Sequence, residues 1–457
     1  MAANTLSRTR TRPRRPRGLA VVGSVLIAMT LVTGSASATI VERSRLTQPY
    51  EFDNWDCGYE LHITGVSTDQ VQVRADKKLD NAFFTDNYQF RETWTGPDGR
   101  WFTVSGNGLF KDLPGKSLGG SLYEFSFHNV GQPFTVTDST GRIISRDRGN
   151  LTGRRTVDFA DGSENFLGFQ LKGPHPSFDL DLCRAVQPLT GGDSARYLTP
   201  RPIGSTASPD GFYEYLPPSY SATGAPSPLL LFFNGYGENG DGTAAGLSNL
   251  LFAGIPRYMD VGGWDTDRPF VVLSHQHIDP GFDFSPCDGV DPWFASCAMQ
   301  VQHDLDNASP AFCTTPDEVH DFIAYALDHY NVDPTRVYIT GLSCGAYGVW
   351  EYLAKYHDDL QVAAAVPIAG DGRPGFAPSY CDIGATPVWA FHGALDLTVN
   401  PLGSIEPMTA LADCGVVPAD EAQLTVYPDR DHNSWDPAYA ERDGNDIYSW
   451  MLGFTHP

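Results

Sequence analysis

From residue 229 onward the chain carries short, nearly polar-free runs: Leu229 to Phe233, Phe270 to Leu273, Val337 to Ile339, Val362 to Val366, Val388 to Phe391 and Leu424 to Tyr427. A strand with one wet face alternates apolar and polar residues. A run with no polar side implies a strand covered on both faces, as in a parallel sheet between two layers of helix. Helical stretches separate several of these runs. The clearest, 316–330, repeats Val319, Phe322, Ile323, Ala326 and Tyr330 on one face, and Thr315 with Glu318 forms a capping box around Pro316.

Upstream the period is two. Leu61 and Ile63, Val71 and Val73, then Tyr123, Phe125 and Phe127, and finally Phe178, Leu180 and Leu182 alternate with polar residues. Turn chemistry at 95–99 and 138–141 separates such stretches, so residues 45–185 read as an all-β, sandwich-like domain. Trp55, Trp94, Trp101 and Phe110 are candidates for a carbohydrate or polymer contact, but aromatics in such a domain mostly fill its core. Residues 186–208 lose periodicity and collect Gly191, Gly192, Pro200, Pro202 and Gly204. They read as a linker, leaving 209–457 for the α/β domain.

The first 38 residues carry six arginines and no carboxylate, then an apolar run from Leu19 to about Val32, then Ala36-Ser37-Ala38. This is the pattern of a signal peptide cleaved after residue 38. The run falls short of the roughly 20 residues that a spanning helix needs, so no stable membrane anchor is expected. Export suits the eight cysteines, which contain no Cys-x-x-Cys pair and read as disulfides. Expected pairs are Cys57 with Cys183, Cys287 with Cys297, and Cys381 with Cys414, with Cys344 either joined to Cys313 or buried. A net charge of −24 disfavours nucleic acid as a partner.

Gly341-Leu342-Ser343-Cys344-Gly345 follows the strand-like 336–340 and precedes the helix-compatible 346–356. Strand, tight glycine turn and helix together form a nucleophile elbow, which exposes the serine above the sheet. A serine hydroxyl needs a histidine base and a carboxylate to orient it, in the chain order Ser, acid, His. His432 lies just past the run 424–427 and is the chosen base, whereas His392 ends the run before and reads as structural. Asp396 follows that run and is the chosen acid, with Asp371 its rival. The backbone amides of Cys344 and Tyr236 are the expected oxyanion donors, the second from the loop 234–240. That loop lacks the G-K-[ST] of a phosphate cradle.

His275-Gln276-His277 with Asp279 alternates across a strand end without an H-E-x-x-H pattern, so no metal is expected there. With Trp293 and Phe294 the stretch reads as pocket lining, and Trp435 as a second pocket residue.

Taken together, residues 210–455 resemble the secreted phospholipase/carboxylesterase-like branch of the α/β-hydrolase superfamily, which includes relatives of feruloyl and polyhydroxybutyrate esterases. The likeness rests on Tyr213-Glu214-Tyr215-Leu216-Pro217-Pro218, Gly235-Tyr236-Gly237-Glu238, the elbow, 389–396 and His432-Asn433-Ser434-Trp435. It implies an α/β-hydrolase fold, a Ser343, Asp396, His432 triad, and hydrolysis of small-molecule or polymer-linked esters without a cofactor. Asn234 stands where that branch usually has histidine, Asn239 where it often has arginine, and Ala346 where many members have glycine. The triad does not separate an ester from an amide, so a peptidase is the rival within the same chemistry, and an inert binding protein the rival outside it.

Overall fold

The computed structural model describes residues 39–55, 57, 59–76, 81–160, 163–278, 312–376, 386–415, 417–418 and 421–456. The expected signal peptide, Trp293 and Phe294, Asp279, and Cys287, Cys297 and Cys381 lie outside them. No described helix is long and apolar enough to cross a membrane. The chain forms two compact units. One comprises Ile63–Trp94, Trp101–Ala185 and the chain up to Phe52, and the other Asp53–His62, Thr95–Arg100 and Val186–Pro457.

The first unit is built on β strands, as most of its period-two pattern requires, but the alternation of Phe178, Leu180 and Leu182 is not a strand: Phe178 closes a short helical turn, Pro176–Phe178, and Leu182 opens the helix Leu182–Thr190. Its strands are β1 (Thr39–Asn54), β2 (Leu61–Asp76), β3 (Asn81–Thr95), β4 (Trp101–Asp112), β5 (Lys116–Gly119), β6 (Leu122–Asp138), β7 (Ile143–Arg146), β8 (Gly149–Asp158) and β9 (Glu164–Lys172). All nine belong to one hydrogen-bonded sheet, whose main path runs β1-β2-β3-β4-β6-β8-β9. Ile63, Trp94, Phe102, Val104, Phe125 and Val136 are buried in it. Of the aromatics weighed for a binding face, Trp94 is buried with its indole N–H on Glu92, 2.7 Å away. Phe110 stacks between Phe84 and Phe127, whereas Trp101 is exposed.

The second unit holds an eight-stranded sheet of β10 (Leu198–Arg201), β11 (Phe212–Tyr215), β12 (Ser227–Phe233), β13 (Val271–His275), β14 (Val332–Leu342), β15 (Ala364–Ile368), β16 (Val388–Gly393) and β17 (Ala422–Tyr427). Their order is β10-β11-β13-β12-β14-β15-β16-β17. The first two strands pair antiparallel, and every pair from β13 to β17 is parallel. This is the order and sense of the α/β-hydrolase sheet, with the elbow after its fifth strand.

The polar-free runs are explained by this architecture. Leu229, Leu231 and Phe233 pack into one core with Phe322 and Val349 from helices Pro316–His329 and Cys344–Lys355. Leu230 and Phe232 enter a second core with Tyr258, Tyr439 and Met451. Alternate residues of one strand therefore feed opposite faces, and both faces are covered by helix. The helix at 316 begins as its sequence dictates, with Thr315 and Glu318 forming both bonds of the capping box.

A second expectation is corrected. Residues 186–208 are not an unstructured linker: they hold most of the helix Leu182–Thr190, a short turn of helix Ser194–Tyr197, and β10, the edge strand of the catalytic-type sheet. Pro188 inside that helix and Pro200 in the strand mask both elements, because proline opposes helix interiors and is tolerated in strands mainly at edges.

Candidate active site

Parallel strands bring their carboxyl ends to one edge, where loops collect. Phe233 of β12 lies opposite Gly341, Leu342 opposite Ile368, and Gly393 opposite Tyr427. The loops after β12, β14, β16 and β17 therefore start at one level.

Ser343 stands at the turn between β14 and the helix Cys344–Lys355 with φ 50° and ψ −117°, a left-handed conformation that a non-glycine residue adopts at a cost of roughly 1–3 kcal/mol. Its amide donates to Ile368 O at 2.9 Å, which holds the turn on the neighbouring strand. The flanking glycines are required by space. A Cβ on Gly345 would lie 2.1 Å from Phe233 O, and one on Gly341 2.4 Å from Gly345 C.

The acid and base loops are tied to each other through their backbones. Leu395 N donates to Arg430 O at 2.8 Å and Ala394 N to Tyr427 O at 2.9 Å. Gly393 permits this approach, since a Cβ there would meet Asp431 O at 2.1 Å. The result aligns three side chains. His432 Nδ1 lies 2.7 Å from Asp396 Oδ2, and His432 Nε2 lies 2.9 Å from Ser343 Oγ. With a carboxylate as its partner, Nδ1 carries the imidazole proton, and Nε2 is left to accept from the serine hydroxyl.

Asp396 is buried, and its Oδ1 accepts from the amides of Thr398 and Val399 at 2.8 and 2.9 Å. Burial by itself would raise its pKa. The bonds from His392 and His432 and the Val399 amide outweigh burial and hold the carboxyl well below the usual range. The rival acid, Asp371, is spent on Arg373, whose guanidinium meets it at 2.6 and 2.9 Å. His392 does make the hydrogen bond expected of a structural residue, to Ser404 at 2.8 Å, but its Nε2 also lies 3.2 Å from Asp396 Oδ2. The sequence carries only a weak signal of this contact, the four-residue spacing of His392 and Asp396 across a strand end.

The loop after β12 passes beside the elbow. A Cβ on Gly235 would lie 3.4 Å from Ser343 Cβ, and Tyr236 follows directly in a short helical turn, Tyr236–Glu238. Cys344 heads its helix, where an amide has no partner within the helix and the dipole favours negative charge. Asn234 is wholly buried and shapes the loop from inside. Its Nδ2 donates to Gly235 O and to Asn239 Oδ1, each at 2.8 Å, and its Oδ1 accepts from the His277 amide at 2.9 Å.

Cys344 forms a disulfide with Cys313, with Cα atoms 4.7 Å apart, so the first residue of the elbow helix is tied to the chain just ahead of the helix Pro316–His329. Cys57, Cys183 and Cys414 are also disulfide-bonded. Trp435, expected as a pocket residue, is buried in the second core with its ring edge-on to His432, 5.1 Å between centroids.

Asp210, His275 and Glu318 place one ligand atom each within 4.8 Å of one another, the described group that could hold a cation. Its carboxylates already have protein partners. Asp210 meets His275 Nε2 at 3.2 Å, and Glu318 accepts from the Thr315 amide, the Thr315 hydroxyl and His277. Burial raises the Glu318 pKa, but the bond from His277 and the nearby histidines hold it at about 2.

No family model and no curated protein matches the chain. Solved structures similar to it include a thermostable esterase, at 17% identity over 87% of this chain and 97% of that one, with a TM-score of 0.39. Esterase PE8 is 17% identical over 52% of this chain and 97% of its own, with a TM-score of 0.33. A structure from a study of two prolyl endopeptidases is 12% identical over 87% of this chain and 66% of its own, with a TM-score of 0.35. Likeness at this level carries no argument about activity, and the assignment of the α/β-hydrolase fold rests on the strand order described above.

Proposed function

We propose that the protein is an exported serine hydrolase that cleaves carboxylic esters through an acyl-enzyme. The observation that carries this reading is the unbroken line from Ser343 Oγ through His432 to Asp396, at 2.9 and 2.7 Å, built on a serine held at positive φ. His432 Nε2 takes the hydroxyl proton as Ser343 Oγ attacks the ester carbonyl, and Asp396 stabilises the imidazolium that results. The backbone amides of Tyr236 and Cys344 receive the oxyanion. His432 then protonates the departing alcohol. Water, deprotonated by the same histidine, attacks the acyl carbonyl and restores Ser343.

Disulfides support an oxidising location and hence export. The acidic charge speaks for an uncharged or cationic substrate rather than a polyanion. The exposed Trp101, at the start of β4, is the residue of the β-rich unit that we propose for a carbohydrate or polymer contact.

The test is hydrolysis of p-nitrophenyl esters from acetate to palmitate by the purified protein, beside peptide p-nitroanilides. Ester turnover that vanishes in Ser343→Ala supports the reading. Cleavage of the anilides alone would replace it with a peptidase, and no turnover of either by folded protein would reject the hydrolase.

A further inference from the structure

We infer that His392 is a positioning residue for Asp396, a second imidazole donor to the carboxylate oxygen that receives His432, and that Ser404 fixes the tautomer that makes this donation. The inference rests on the proposed triad and deepens it.

The geometry leaves little freedom. His392 is the penultimate residue of β16, and its side chain and that of Asp396 are both fully buried. Its Nε2 faces two acceptors, Asp396 Oδ2 at 3.2 Å and Val399 O at 3.3 Å. A nitrogen between a carboxylate and a carbonyl must carry a proton. Nδ1 lies 2.8 Å from the hydroxyl of Ser404, also wholly buried. In the neutral imidazole Nδ1 is then the acceptor and Ser404 Oγ–H the donor. Ser404 has one further acceptor in reach, Gly370 O at 3.5 Å, a longer and weaker alternative.

Asp396 is thereby saturated. A carboxylate offers about four acceptor positions. Two amides take Oδ1, and two imidazoles share Oδ2. Turning about the Cβ–Cγ bond moves both oxygens together, so the amides on Oδ1 and the His392 donor on Oδ2 resist the same rotation. His392 acts on the oxygen that orients His432. A hydrogen-bonded line therefore runs from Ser404, at the start of helix Leu402–Cys414, through His392, Asp396 and His432 to Ser343.

The experiment compares His392→Met, which keeps bulk and loses the donor, His392→Gln, whose amide N–H can reach the Nε2 position, and Ser404→Ala. For each, kcat and KM for p-nitrophenyl acetate are measured separately, with thermal melting as a check of folding. Support from beyond the reacting groups is worth about 10–100-fold by analogy with the residues that orient metal-bound histidines, so His392→Met should lower kcat by that factor with KM within about twofold. His392→Gln should return kcat to within a few-fold of the parent, and Ser404→Ala should lower it by a smaller factor than His392→Met. Equal kcat losses in the Met and Gln variants, or a folded Met variant with parental kcat, would overturn the role. Should the Met variant fail to fold, Ser404→Ala decides, and an unchanged kcat there overturns it. Asp396→Asn is run in parallel. Activity retained in that variant would refute the triad itself, an outcome separate from failure of the His392 role.

Discussion

Gly345→Ala isolates the contact between the elbow and the loop after β12. A methyl at this position would sit 2.1 Å from Phe233 O, 2.5 Å from Phe233 C and 2.8 Å from Asn234 O, whereas real Cβ atoms essentially never come within 3.0 Å of such neighbours. All three are backbone atoms at the end of a wholly buried strand, so no side chain can swing aside. Relief requires a separation of about 1 Å between the elbow helix and residues 233–234, in a core where overpacking costs about 1–3 kcal/mol. For a domain of this size that is roughly 2–12 °C in melting temperature. The same displacement moves Gly235 and Tyr236 away from Ser343, and a misplacement of about 1 Å costs on the order of 10²-fold in rate. The assay is kcat for p-nitrophenyl acetate together with calorimetric melting. Gly237→Ala, with nothing within 4 Å of the added methyl, serves as the stability control and should melt close to the parent. A Gly345→Ala variant with parental kcat and melting temperature would refute the packing argument.

Three further outcomes follow from the structure. Replacing Cys313 and Cys344 together by alanine opens a closure spanning 31 residues, which should cost about 3–4 kcal/mol in urea unfolding; a loss below about 1 kcal/mol would mean that the bond constrains little. Glu318→Gln tests a pH dependence. Because the folded pKa of Glu318 lies near 2, below the value of about 4.3 in an unfolded chain, its ionised form stabilises the fold above that value, and this contribution fades as pH falls towards 2. The melting-temperature gap between parent and variant should therefore narrow from pH 6 to about pH 2.5, and a constant gap would contradict it. Asn234→Ala removes the acceptor of the His277 amide and the tie to Asn239, and should cost about 1–3 kcal/mol of stability and lower kcat while KM changes little. An unchanged kcat would separate this loop from the chemistry.

The parallel sheet was legible because buried strands leave no polar residues in the runs 229–233 and 388–391, and the elbow because its two glycines bracket a serine at a strand end. Asp396 and His432 are placed by chain order, and the structure brings His432 to Ser343 and Asp396 to His432. Three features could not be read in advance. Pro188 and Pro200 hid a helix and an edge strand, since propensity registers proline as a breaker without regard to exposure. The link from His392 to Asp396 depends on how a strand end turns, which no periodicity records. Asn234 holds the loop from inside because its amide supplies donors and an acceptor at once, to Gly235 and Asn239 and from His277.

The central claim is that Ser343 is a nucleophile activated by His432. Incubation with a fluorophosphonate probe, followed by intact and peptide mass spectrometry, tests it without knowledge of the natural ester. One adduct per chain is expected, on Ser343, abolished in Ser343→Ala and strongly slowed in His432→Ala. A folded protein that stays unmodified, or one modified elsewhere, would contradict it.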